Sequence, residues 1–578
     1  MGTIWVREFT GGLDTRRLEE ALAGGTLIRA TNCHIGRGGD IEERAAFVPA
    51  FALPMGTVSL AAGAAGLFVF GSGPAPGALP AGVTYQQLEH PDGTAQLTKV
   101  LSYDLYAGKL YVVGLFADGT RHHFYDGTVV PDWFDGRSRA TFSVINGAGG
   151  DDVTSITVGG IELLGAPVTW AGDTETTAAA IAAEINSNVS SPEYDAVATG
   201  NIVAIVADAV GPAANGLTVA ITATGALAFD PPTTTMASGA TPSGTFLPGT
   251  FVKTLGRRVC SVSDSNLHGS GLNEPTKWTT DATGAFFVDL SKEASGAETM
   301  LAMAEYQSLL AIFGERVILL YVVDADPANN RKSQALYNTG TFAPRSVVQF
   351  GDRDVYYLDG SGYRSLRARD SINIAVTSDI GSAIDPLITQ DLAALTIDER
   401  AAAISLIEPG EGRLWLCIGT KIYVFSYFTA TKISAWSTYT PGFWIDDACV
   451  FRRKVYLRSG DTIYVYGGAG STLQYDDTEP EVWLPYLHAD KPAAQKAWKG
   501  FDAICRGEWE VRAGMEPRDL SVSDLIARIN GTTVSDHTQP LEGRSTHISL
   551  RFRGLGGGER PAKLASCVVH FESDADED

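Results

Sequence analysis

The chain has 578 residues, enough for about three or four units at the usual ~100–200 residues per domain. Its 63 glycines and 26 prolines beside 44% hydrophobic residues describe a turn-rich β protein and exclude a disordered one. With 67 acidic against 44 basic residues the net charge is −23, which excludes a surface built to hold nucleic-acid phosphates stably.

In chain order, the start MGTIWVREFTGG lacks the basic opening and continuous apolar stretch of a signal peptide. No run of about 18 apolar residues follows, so neither a cleaved leader nor a membrane span is expected. Residues 1–50 read as a platform segment. The six cysteines (Cys33, Cys260, Cys417, Cys449, Cys505, Cys567) lie far apart without a Cys-x-x-Cys pair, and read as small buried apolar residues of a chain made in a reducing compartment.

From residue 51, short aromatic and β-branched runs recur around Gly or Asp-Gly turns. They are GLFVFG at Gly66, LYVVGLFADGTRHHFYDG at Leu110, LLAIFGERVILLY at Leu309, DVYYLDGSGYRSL at Asp354, RLWLCIGTKIYVFSYF at Arg413 and KVYLRSGDTIYVYG at Lys454. The last four starts are close to the ~40–50 residues of a four-stranded blade apart. The expected fold is mainly β: a β-propeller of about six blades, with blades at 51–136 and 246–475, rather than a β-sandwich throughout.

Residues 137–245 are rich in Ala, Thr, Gly and Val and almost without basic residues. TSITVGGIELLG reads as two strands, NIVAIVAD and NGLTVAITAT as two more. Thr174 to Val189 reads as a helix with Thr174 as N-cap, Thr177 three residues on, and an apolar stripe of Ala180, Ile181, Ile185 and Val189. This predicts a small inserted α+β domain. Residues 476–572 alternate apolar and polar positions at Gly507–Glu516, Thr546–Gly554 and Ala562–Ser573, the pattern of a C-terminal β-sandwich. Residues 573–578 form an acidic tail.

Catalytic grammar is sparse. His122 and His123 are adjacent, so on a strand they face opposite ways and cannot share one metal ion. Asp118 and Asp126 occupy Asp-Gly turns, where they serve turn geometry. Neither a Gly-x-Ser-x-Gly elbow nor a phosphate loop occurs, and Asp359-Gly-Ser-Gly reads as a turn. No catalytic residue, metal site or cofactor is expected, and the chain reads as a non-enzyme. Ten tryptophans and 20 tyrosines fit strand packing and leave a carbohydrate-binding propeller as the alternative reading.

Three patches resemble one family. Ala343-Pro344-Arg345-Ser346 leads into the Asp354–Leu366 strands; Gly11-Gly12 is followed by Ala30, Asn32, Gly38, Gly39 and Arg44; and Val259 to Trp278 ends in Pro-x-x-Trp. Together they are similar to the tail nozzle (tail tubular protein B, or hub) proteins of short-tailed bacteriophages. The family continues its last N-terminal element with Pro-Gly-Phe, where this chain has Ala45, Ala46 and Phe47. The resemblance implies a virion tail protein assembled in the host cytoplasm. It implies a homohexameric ring below the portal's adaptor proteins, carrying fibres or spikes outside and passing double-stranded DNA without sequence-specific binding. Asp359, Asp461 and Asp476, in or beside predicted turns, are candidates for an acidic channel lining that repels phosphates.

Overall fold

The computed structural model describes residues 2–91, 93, 95–130, 137–237, 239, 249–278, 284–293, 298–351, 354–372, 379–534, 538–556 and 559–573. Strand takes 50% of the chain and helix 9%, so the protein is mainly β.

Seven small sheets follow one another along the chain among the described residues. Sheet 1 is Val58–Ala62, Leu67–Gly71 and Val83–Gln87. Sheet 2 runs Leu97–Tyr106, Lys109–Phe116, Arg121–Tyr125 and Thr128–Val129. Sheet 3 is Phe251–Leu255, Arg258–Ser263, Asn266–Gly269 and Phe286–Asp289. Sheet 4 is Met300–Tyr306, Leu309–Gly314, Val317–Val322 and Arg331–Tyr337. Sheet 5 has Val348–Phe350, Asp354–Asp359 and Gly362–Ser365. Sheet 6 is Ile404–Ile407, Leu414–Ile418, Lys421–Phe428 and Ile433–Tyr439. Sheet 7 is Asp447–Phe451, Lys454–Ser459 and Thr462–Tyr466, completed by Phe47–Ala52 from the far end of the chain. The count exceeds the six hairpins legible in the sequence because sheet 3 belongs to the same series.

Burial explains the order. Each sheet has two apolar faces, one covered by the preceding sheet in the series and the other by the following one. Leu97, Val100 and Val112 of sheet 2 pack with Ala61 and Phe70 of sheet 1, and Tyr111 and Val113 with Val252 and Val259 of sheet 3. Cys260 and Leu267 meet Met303 and Ile312 of sheet 4; Phe313 and Leu320 meet Val355 and Tyr357 of sheet 5. Tyr356 and Leu358 meet Leu416 and Phe425 of sheet 6, and Trp415 and Val424 meet Val455 and Leu457 of sheet 7. Cys449 and Ile463 of sheet 7 then pack on Leu60 and Val69 of sheet 1. The contacts therefore return to their start, and the first strand of each sheet touches the first strand of its neighbours.

The insert has its own core. Residues 137–237 form two sheets, one centred on Arg137–Asn146 and Ile202–Val210, the other on Asp152–Val158 and Thr218–Ala223. The helix Thr174–Ser187 packs on them, and the buried apolar cluster contains only residues between Ala140 and Met236. The N-cap is Asp173 rather than Thr174: the Asp173 Oδ1 accepts the Thr176 N–H at 2.7 Å. Thr177 is buried and donates to the Asp173 carbonyl at 2.6 Å. The buried face is Thr177, Ala178, Ile181, Ala182 and Ile185, whereas Val189 lies beyond the helix and is 87% exposed. Residues 136 and 240–245, at the ends of the expected insert, lie outside the described residues, as do residues 574–578 of the acidic tail.

The last unit is built from both ends of the chain. Lys563–Ser573 pairs with Lys496–Arg506 on one side, and with Gly2–Val6 and Ile41–Glu43 as well. A second sheet, Asp524–Asn530, Glu508–Gly514, Ser549–Gly554 and Glu481–Trp483, covers it over Trp498, Phe501, Trp509 and Phe552. Arg29–Thr31 splices that second sheet onto sheet 6 through Thr438, making one nine-stranded surface. All six cysteines are buried and free. No helix among the described residues is long and apolar enough to cross a membrane.

Candidate functional site

The Pro-Arg-Ser segment places Arg345 on a single 3-10 turn, Pro344–Ser346, just before sheet 5. Proline at the first position presets that turn, and the buried Thr341 hydroxyl, bonded to the Leu358 carbonyl at 2.7 Å, anchors the approach. From there Arg345 reaches Asp447, the first residue of sheet 7, in an ion pair. The other Asp447 oxygen accepts the Leu60 N–H of sheet 1 at 2.8 Å. Tyr103 of sheet 2 accepts the Ala62 N–H at 3.4 Å and lies within the field of both charges. Sheets 5, 7, 1 and 2 thus meet at one point. Sheets 5 and 2 are not neighbours in the cycle, so that point is its centre.

Electrostatics fit a permanent tie. Burial works against the Arg345 charge, but the Asp447 carboxylate overrides it and holds the guanidinium above its ordinary pKa. Burial also pushes the Tyr103 phenol well up. Asp447 is 4% exposed, and a carboxylate that dry needs its cation and its N–H donors. The closing seam between sheets 7 and 1 is held by Arg458, which donates to the Ser59 carbonyl at 2.7 Å and to the Thr57 carbonyl.

A second joint unites the N-terminal residues singled out in the sequence. Arg44, 2% exposed, donates Nε–H to Asn32 Oδ1 at 3.2 Å, Nη1 to Asp476 at 3.0 Å and Nη2 to Thr478 at 2.6 Å. Asn32 takes a left-handed φ of 56°, a conformation asparagine tolerates, and its Oδ1 also accepts the Thr440 N–H at 2.9 Å. Gly12, at φ 56°, lies so close to the Trp436 backbone that an added Cβ would stand 2.8 Å away. These residues fasten the two-sheet unit to sheets 6 and 7.

The other candidates separate. His122 points to His90, with Nε2 atoms 3.3 Å apart, while His123 points the other way, to the Gly249 carbonyl at 3.3 Å and the Trp278 ring. Asp118 sits 3.3 Å from His90, and Asp126 pairs with Lys109 at 2.6 Å. No group of three or more His, Cys, Asp or Glu among the described residues is arranged to hold a metal ion. Of the acids considered for a channel lining, Asp359 is buried and accepts the Ser361 N–H at 2.6 Å. Asp476 is held by Arg44 and Thr478, which bring its carboxyl below the ordinary range despite burial. Asp461 has the most exposed side chain of the three, at 45%, against 36% for Asp476. Asp447 and Tyr103 carry no signal in the sequence, because nothing local distinguishes them from other strand residues.

No family model matches the chain, and no curated protein does. Among solved structures, BamB from Moraxella catarrhalis is similar at 10% identity, over 74% of this chain and 99% of that one, with a TM-score of 0.29. The extracellular domain of a hybrid two-component system from B. thetaiotaomicron is similar at 9% identity, over 94% and 84%, with a TM-score of 0.27. An exo-β-1,3-galactanase from Phanerochaete chrysosporium is similar at 10% identity, over 55% and 95%, with a TM-score of 0.22. Similarity at this level carries no inference about activity.

Proposed function

We propose that the seven sheets are the blades of a β-propeller closed by the strand Phe47–Ala52, and that the chain is a structural subunit of the tail nozzle of a short-tailed bacteriophage. The observation that carries this reading is where the family-like residues lie. Asn32, Arg44 and Arg345 are at joints of the architecture rather than around a reactive cavity, as a load-transmitting scaffold needs. A heterologous contact repeated six times closes a ring. Because Arg345 and Asp447 occupy the centre of the cycle, DNA would pass along the axis shared by the copies and not through one subunit's propeller. The net charge of −23 favours passage without sticking.

The test is quantitative mass spectrometry of purified particles of the phage encoding the chain. The nozzle reading expects it in the tail, in proportion to the adaptor proteins. Absence from particles, together with glycan binding by the purified chain, would transfer the assignment to the carbohydrate-binding propeller.

A further inference from the structure

A cleft of about 470 Å³ opens where the two-sheet unit meets sheets 6 and 7. His34, Arg413 and Tyr466 line it together with the Arg453-Lys454 turn of sheet 7 and Glu408. Arg413 is 6% exposed. Its buried Nε has no acceptor, and its guanidinium makes no hydrogen bond or ion pair with any described residue. Its guanidinium carbon lies 5.9 Å from the Phe428 ring centroid, at the outer edge of cation–π range.

This is anomalous within the molecule. Arginine does not give up its proton in proteins, and a buried charge without a partner is costly. Arg44 and Arg364, equally buried, each have a carboxylate, and Arg258 and Arg458 donate to backbone carbonyls. Four of the five acids that line the cleft are engaged elsewhere, Asp40 being the fifth, and Glu43 pairs with Arg560. Glu411 pairs with Arg37 at 2.7 Å, Glu42 with Lys563 at 3.1 Å, and Glu408 accepts the Gly410 and Glu411 N–H groups at 2.5 and 3.0 Å. Lys454, in the same lining, forms no ion pair with a described residue.

We infer that this cleft is a binding site for a small oxyanion, a carboxylate or a phosphate, received by the Arg413 guanidinium with Lys454 as a second cation. The planar fork of arginine matches either group through two parallel N–H donors. An occupant would touch the two-sheet unit and sheets 6 and 7 at once and so brace their junction. The inference is independent of the nozzle assignment.

The experiment is calorimetric titration of the full chain with sodium phosphate and, separately, sodium acetate, each against sodium chloride at equal ionic strength. Saturable binding of at least one anion is expected. Arg413→Gln should weaken it by about tenfold or more, the loss of a charge-assisted pair. Lys454→Gln keeps the question answerable if the first variant folds poorly, and should weaken binding several-fold. Phosphate preference would identify the occupant as a phosphate group, and acetate preference as a carboxylate. Heats indistinguishable from chloride for both anions, or affinities unmoved by Lys454→Gln and by any folded Arg413→Gln, would overturn the site.

Discussion

Arg345 and Asp447, 102 residues apart, are joined in an ion pair at the centre of the sheet cycle. Removing one partner strands the other charge in a dry environment. Arg345→Met should therefore destabilise the chain by about 3–5 kcal/mol, while Arg345→Met with Asp447→Asn should recover a substantial part. Urea midpoints of the three proteins decide this; a double variant no more stable than the single one contradicts the pairing.

Completion of sheet 7 depends on Phe47, whose strand Phe47–Ala52 pairs with Thr462–Tyr466. Phe47 is buried against Trp415 and Tyr466, with centroids 6.2 and 5.3 Å away, and lies under the Arg44 guanidinium at 4.8 Å. Phe47→Ala should cost about 3–5 kcal/mol. Hydrogen exchange should quicken first in Asp447–Phe451 and Thr462–Tyr466. Uniform quickening that includes the insert would mean that Phe47 does not act at a local seam.

Residues 137–237 interrupt the chain between sheets 2 and 3, yet those sheets are already joined across the interruption. Ser102 Oγ accepts the Val252 N–H at 3.0 Å, and Asp104 accepts the Thr254 N–H at 2.8 Å while pairing with Lys253 at 3.2 Å. Replacing the insert with a short Gly-Ser linker should leave the remaining sheets folded. Circular dichroism and a cooperative melt check this; an insoluble product would show that the insert supports the main core.

Buried histidines set an acid sensitivity, burial holding His34 and His123 well below their ordinary value. Burial brings His268 down to about 4 and His122 to about 3, from an ordinary 6.5. Both are neutral in the folded chain at mildly acidic pH, whereas the unfolded chain protonates them below about 6.5. The unfolded state then binds more protons, so stability should fall as pH drops from 6.5 toward 4. His268→Gln should flatten the slope by up to about 1.4 kcal/mol per pH unit. Urea denaturation across that interval checks it, and an unchanged slope contradicts the assignment.

Much of the architecture is written locally. Hairpins such as Asp354–Asp359 with Gly362–Ser365 announce themselves through aromatic strands and a glycine turn, and the helix of the insert through its apolar spacing. Sheet 3 is quieter because the hairpin Arg258–Ser263 with Asn266–Gly269 turns on Asp264, at φ 47°, and Ser265, without a glycine. The helix cap falls on Asp173 because a carboxylate one residue earlier satisfies the Thr176 N–H. Long-range pairings leave no such trace: nothing near Phe47 says that it completes a strand set ending at Tyr466, and nothing near Arg413 says that its neighbours' carboxylates are taken. Asp359 and Asp476 look like solvent-facing turn acids by sequence; burial makes the first structural, and the Arg44 ion pair, 432 residues away in the chain, the second.

The most direct test of the nozzle account is mass photometry of the purified chain, alone and mixed with the adaptor ring of its phage. A sixfold species in at least one condition, appearing as a ring in negative stain, is the result the account requires. Monomers alone in both conditions would contradict it.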